Sequence, residues 1–104
     1  MKKQYTVKER NEWEDETFNY VLLLTEDEFK IVAEKCEKFG DDSLNVKETN
    51  YTDEDIKKMN DASDNSYMSF ISAYKLKPGA LENWDEFGDC FYKGHGLQRL
   101  KTLE

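Results

Sequence analysis

The chain is poor in the residues that build metal centres, disulfide frameworks and membrane spans. Its 104 residues include one histidine and two cysteines, and its longest aliphatic run covers only residues 21–24. Zinc sites need clustered cysteine and histidine ligands, whereas Cys36 and Cys90 are far apart in the sequence. A bilayer span needs about 20 apolar residues. We therefore predict no metal, no cofactor and no membrane association, and we expect two reduced thiols in a cytoplasmic protein without a targeting segment.

Motifs for phosphate and calcium binding are also missing. The sequence contains no P-loop and no dinucleotide-binding fingerprint, and the spacing of Gly94 and Gly96 alone predicts neither. The acidic stretch at 61–65 lacks the glycine and the bidentate glutamate of a calcium-binding EF-hand loop. We therefore expect neither a nucleotide site nor a calcium site.

The charges of the chain are unevenly distributed. Residues 9–89 hold 22 of the 23 acidic side chains but only 9 of the 15 basic ones, which leaves about −13 on this body and about +5 on the two ends. A field of this sign repels nucleic acids and anionic membranes, and it attracts cationic protein surfaces. We therefore expect a protein partner with a basic surface and no direct contact with nucleic acid.

A single domain over 1–104 is predicted from the length and the aromatic content. Leucine, isoleucine, valine and phenylalanine supply only 22 residues, which is close to the limit below which a highly charged chain stays disordered. The 14 aromatic residues favour a folded chain, because each aromatic side chain can bury a large apolar surface. The last two residues, Leu103 and Glu104, could be a vector-derived remnant, and we give them no function.

Alternating apolar and polar residues predict several strands. Strands at 3–10 and 17–24 are joined by a short polar connection, so we expect them to pair as an antiparallel hairpin. The second of these strands is apolar on both faces, which predicts a central strand covered on both sides. A longer strand over 66–77, a short edge strand at Leu44 and Val46, and a last strand around Phe91 complete a mostly antiparallel sheet of three to five strands.

Helix starts give the clearest local signal. Thr25, with Glu28 three residues later, predicts a capping box at the start of a helix over 26–39. The same pattern at Thr52 predicts a second, shorter helix. We therefore expect an α+β fold in which the main helix packs on one face of the sheet and shorter helices lie at its edges. The spacing of three leucines near the C-terminus is that of a helical tail: Leu97, Leu100 and Leu103.

The leading functional hypothesis is a non-enzymatic acidic module that occupies a basic surface of a partner protein. Inhibitors, immunity proteins and nucleic-acid mimics share this character, and the partner could itself be a nucleic-acid-binding protein. A tryptophan among carboxylates can supply desolvated area while the acids steer a basic partner; alternatively, each tryptophan folds back onto the core. The predicted partner-binding residues are Glu12, Trp13, Glu14, Asp15, Glu16, Glu26, Asp27, Asp53, Glu54, Trp84, Asp85 and Glu86.

Two other classes of function remain open from the sequence. A small-molecule-binding or catalytic domain would use Cys90 as nucleophile and His95 as base, with Asp89 to orient the imidazole ring. A lone cysteine after an apolar turn is more often a small core residue, and no family signature surrounds it. A structural role would instead come from a homodimer joined through an unpaired sheet edge.

Overall fold

The computed structural model describes residues 1–11, 15–38, 44–63, 69–83, 91 and 94–103. In these ranges the chain forms five strands and two helices, and the predicted α+β class is confirmed. The elements follow in the order β1 (Lys3–Asn11), β2 (Glu16–Leu24), α1 (Glu26–Lys38), β3 (Leu44–Glu48), α2 (Asp53–Ser63), β4 (Ser69–Leu76) and β5 (Leu97–Arg99).

The strands form one mixed sheet in the order β3-β1-β2-β4-β5. β1 pairs antiparallel with β2 and with β3, and β5 pairs antiparallel with β4, as the prediction of a mostly antiparallel sheet requires. β2 and β4 are parallel. Parallel neighbours need a long connection, and here α1, β3 and α2 all lie between them in the sequence.

The predicted hairpin of β1 and β2 is confirmed. The strands are in antiparallel register, with Arg10 opposite Thr17 next to the turn. Asp15 has a φ of 53°, which lies in the left-handed region that aspartate tolerates better than most residues. The Asp15 carboxylate accepts a hydrogen bond from Arg10 Nη2 over 2.6 Å, and this bond ties the turn to β1.

Both helices begin at a capping box, as predicted. The Thr25 amide donates to the Glu28 carboxylate over 2.8 Å, and the Glu28 amide donates to the Thr25 hydroxyl oxygen over 3.1 Å. Thr52 and Asp55 make the same reciprocal pair over 2.9 and 3.1 Å. The hydrogen bonds from Thr52 lower the pKa of the Asp55 carboxyl. The predicted end of the main helix, at residue 39, lies outside the described residues.

Replacing Thr25 with alanine should lower the free energy of unfolding by about 1 kcal/mol, because the Glu28 amide loses its acceptor in the first turn of α1. Chemical denaturation measures this loss. Thr25→Ser is the matched control, since it keeps the hydroxyl group and should stay close to the wild type. Equal stability of the alanine and serine variants would show that the cap contributes nothing.

The two helices pack on opposite faces of the sheet. Val32 of α1 joins the cluster that contains Leu22, and Ile56 of α2 joins the cluster that contains Val21. Neighbouring residues of a strand point to opposite faces, so the two clusters lie on the two sides of β2. The buried members of the larger cluster are Tyr5, Val7, Tyr20, Leu22, Leu24, Val32, Cys36, Leu44, Ala80, Leu81, Phe91 and Leu97. Those of the smaller cluster are Val21, Ile56 and Ile71.

This packing corrects two predictions. α2 covers part of the second face, so the prediction that shorter helices lie at the sheet edges is wrong for α2. The prediction that β2 is covered on both sides holds only in part. On the second face Val21 is fully buried, but Leu23 is 43% exposed. A narrow apolar stripe on α2, made of Ile56 and Met59, is too small to cover the whole strand.

The predicted helical tail is wrong where the structure forms β5. Leu97 lies opposite Leu76 in the antiparallel pair and is buried in the larger cluster. Leu103 packs against the smaller cluster, and its amide donates to Asp53 over 2.8 Å, so Leu103 has defined contacts in the fold. A continuous strand would place Leu97 and Leu103 on one face, and the bends at Lys101 and Thr102 let the two leucines pack on opposite faces instead.

Candidate functional site

The acidic starts of both helices lie at the same end of the sheet. β2 and β3 both pair antiparallel with β1, so they run parallel to each other and both end beside the start of β1. Leu24 lies opposite Lys3, and Glu48 lies opposite Tyr5. α1 follows β2 after one residue and α2 follows β3 after four residues. We call the exposed acids of the two first turns that take no part in a capping box the acidic edge: Glu26, Asp27, Asp53 and Glu54.

The carboxylates of the acidic edge face solvent and are only lightly neutralised. The side chains of Glu26 and Glu54 are 83% and 75% exposed. Their carboxylates lie 3.8 Å from Lys30 and 3.4 Å from Lys58, one helical turn further on. Exposed pairs of this kind contribute little and are screened by salt. Asp53 accepts a backbone hydrogen bond from the C-terminal segment over 2.8 Å, which fixes its position.

Gln4 holds the start of α2 against β1. Its side-chain amide donates to the Tyr51 carbonyl over 2.8 Å, and its side-chain oxygen accepts from the Tyr51 amide over 2.7 Å and from the Thr49 hydroxyl over 2.8 Å. Sequence reasoning did not single out Gln4, because a polar residue in a strand usually faces solvent. The available signal was the alternation that places it on the opposite face from Tyr5.

The acids of the hairpin turn lie at the other end of the sheet. Asp15 is exposed, and Glu16 is half-buried at the start of β2. The length of β2 separates them from α1 by roughly 26 Å, at about 3.3 Å per residue. Among the described residues, the predicted partner-binding acids are therefore divided between two distant surfaces. Of these two surfaces, as far as the described residues define them, the acidic edge is the one that combines acids from separate segments of the chain.

The other predicted site residues lie outside the described residues: Glu12, Trp13, Glu14, Trp84, Asp85, Glu86, Asp89 and Cys90. Of the three residues in the catalytic hypothesis, the structure describes only His95. It is exposed, and its backbone carbonyl accepts a hydrogen bond from Lys77 Nζ over 3.1 Å.

Cys36 is buried, and burial raises the pKa of its thiol to about 11. Its reactive thiolate is therefore scarce at neutral pH. No group of three or more potential metal ligands occurs among the described residues.

The homodimer hypothesis concerns the two outer strands. β3 and β5 are the edge strands of the sheet, and they are only five and three residues long. β3 carries Lys47 and Glu48, and charged side chains on short edge strands oppose pairing between copies. Homodimer formation stays a hypothesis from the sequence.

Comparisons with protein-family models, with curated proteins and with solved structures find no match to this chain. In the ranges that the structure describes, none of the helices is long and apolar enough to cross a membrane.

Proposed function

We propose that the protein is a non-enzymatic, acidic protein-binding module whose acidic edge occupies a basic surface of its partner. The supporting observation is that two acidic helix starts, from separate segments, lie at the same end of the sheet, one on each face. Inhibitors, immunity proteins and nucleic-acid mimics present fixed carboxylates in this manner. A partner that itself binds nucleic acid would offer a suitable basic surface.

The rigidity of the acidic edge supports this proposal. Capping boxes hold the first turns of α1 and α2, and Gln4 fixes the segment that leads into α2. Carboxylates that are already ordered lose less conformational freedom on binding than carboxylates on a loose segment. The net charge of −8 adds long-range steering of a cationic partner. The buried free thiol of Cys36 suits the reducing cytoplasm, where we place the protein.

The test compares two variants that lose the same charge at different ends of the helices. The edge variant carries Glu26→Gln, Asp27→Asn and Glu54→Gln. The control variant carries Glu34→Gln, Glu37→Gln and Asp61→Asn, three exposed acids further along α1 and α2. The immobilised wild type first captures basic proteins from an extract of the source cells, and association with the purified partner is then measured at low and high salt.

We expect the edge variant to associate at least about five-fold more slowly at low salt and to lose part of its salt dependence. The control variant should stay within about two-fold of the wild type. Equal slowing by both variants would mean that net charge alone steers the partner, and unchanged rates for the edge variant would mean that the acidic edge is not the binding surface. Either outcome contradicts the proposal.

A further inference from the structure

The second face of the sheet carries a patch of basic and neutral polar side chains beyond the area that α2 covers. The patch lines a shallow cavity of about 370 Å³, a volume within the range of small-molecule sites. None of the described residues that line this cavity is a carboxylate, although the chain as a whole has a net charge of −8. We call these residues the polar sheet face: Thr6, Lys8, Thr17, Asn19, Asn45, Lys47 and Tyr51.

The strand register places amides on both sides of one lysine. Lys8 of β1 lies opposite Asn19 of β2 and opposite Asn45 of β3. Residues directly opposite each other have Cβ atoms about 5 Å apart. Lys47 lies opposite Thr6, so it is the diagonal neighbour of Lys8 at roughly 7 Å. Two ammonium groups and two amides can therefore reach one small oxyanion.

Among the described cations, the two lysines belong to those without an ion pair, as Lys57 and Lys75 also do. Within the described ranges, neither Lys8 nor Lys47 lies within ion-pair distance of a carboxylate, whereas Lys3, Lys30 and Lys58 each do. The floor of the cavity is polar and ordered, because Thr6 and Thr17 are 3% and 7% exposed and both hydroxyl groups are hydrogen-bonded. Among the described residues, the site thus offers positive charge and ordered polar groups, and its lining contains no carboxylate.

We propose that the polar sheet face binds a small ligand that carries a phosphate group. The phosphate lies between the ammonium groups of Lys8 and Lys47, and the side chains of Asn19 and Asn45 bond its oxygens or adjacent hydroxyl groups. A small dianion needs only these two cations. A long polyanion needs many cationic contacts and would meet the strongly negative body of the protein. This site is separate from the acidic edge.

The test is a titration of the ¹⁵N-labelled protein with ribose 5-phosphate, ribose and inorganic phosphate at constant ionic strength. We expect saturable amide shifts at Thr6, Lys8 and Lys47 with ribose 5-phosphate and none with ribose. Lys8→Gln and Lys47→Gln should each weaken binding at least about five-fold, because each removes one of two charges on the phosphate. Lys30→Gln removes an equal charge on α1 and should leave the affinity unchanged.

Comparison with inorganic phosphate distinguishes a phosphorylated metabolite from free phosphate as the natural ligand. Tighter binding of ribose 5-phosphate than of inorganic phosphate supports a phosphorylated metabolite that also contacts the asparagines. Equal binding supports the phosphate site with free phosphate as its occupant. Shifts that do not saturate, or that persist in the two lysine variants, would overturn the proposal. Tighter binding of a single-stranded RNA oligonucleotide at the same amides would overturn it in favour of a polyanion surface.

Discussion

Leu22→Ala is expected to lower the free energy of unfolding by about 3 kcal/mol, within the range of about 2–5 kcal/mol for leucine truncation in a core. Leu22 is 1% exposed in β2, and it packs in the larger cluster beneath α1. Truncation removes apolar contacts there and leaves a cavity that the surrounding strands fill only in part. Denaturant unfolding, followed by tryptophan fluorescence and circular dichroism, measures the loss.

Leu23→Ala is the matched control for this prediction. It removes the same atoms from the next residue of the same strand, but Leu23 points to the other face and is 43% exposed. We expect a loss below about 1 kcal/mol. Similar losses for both variants would contradict the assignment of faces in β2, on which the positions of α1 and the polar sheet face both depend.

Asn60→Ala is expected to destabilise the fold by about 3 kcal/mol, because it leaves two backbone groups of one residue without their partner. The Asn60 side-chain amide donates to the Ile71 carbonyl over 2.6 Å, and its side-chain oxygen accepts from the Ile71 amide over 3.0 Å. β5 pairs with β4 only from Tyr74 to Leu76, so Asn60 takes the place of a strand beside Ile71. Thermal and denaturant unfolding measure the change.

Asn50→Ala provides the comparison for Asn60, since Asn50 is exposed between β3 and α2. It should change stability by less than about 0.5 kcal/mol. Asn60→Asp tests the two bonds separately: it keeps the acceptor for the Ile71 amide and loses the donor to the Ile71 carbonyl. A stability of Asn60→Ala close to that of Asn50→Ala would show that water replaces both bonds at no cost.

The elements that the sequence predicted well depend on residues close together in the chain. The capping box of Thr25 and Glu28 spans three residues, and the hairpin of β1 and β2 needs only a short turn. Both follow from local geometry, so alternation and cap chemistry are sufficient to predict them.

Long-range pairing could not be predicted in the same way. The parallel neighbours β2 and β4 are joined through α1, β3 and α2, and no local pattern distinguishes a parallel partner from an antiparallel one. β5 was missed because it has only three residues, of which Leu97 alone is buried. Its leucine spacing matched a helix while its backbone pairs with β4.

In the candidate site, too, the local features were predictable from the sequence and the long-range arrangement was not. The acids of the first helical turns were predicted from the capping patterns, and the structure confirms that each lies at a helix start. Their position at the same end of the sheet depends on the strand order, with β1 between β2 and β3. The polar sheet face depends on three strands in register, so Lys8 and Lys47 gave no signal as a pair in the sequence.

The separation of the apolar residues into two clusters has a consequence for how the molecule opens. α1 is anchored in a cluster that joins strands across the sheet, whereas α2 rests on the three-residue cluster and on bonds made by Gln4 and Asn60. Local opening costs least where few apolar contacts are lost. Under destabilising conditions α2 is therefore the first element expected to open while the sheet and α1 stay intact, whereas in the native state the capping boxes and Gln4 keep both halves of the acidic edge in place.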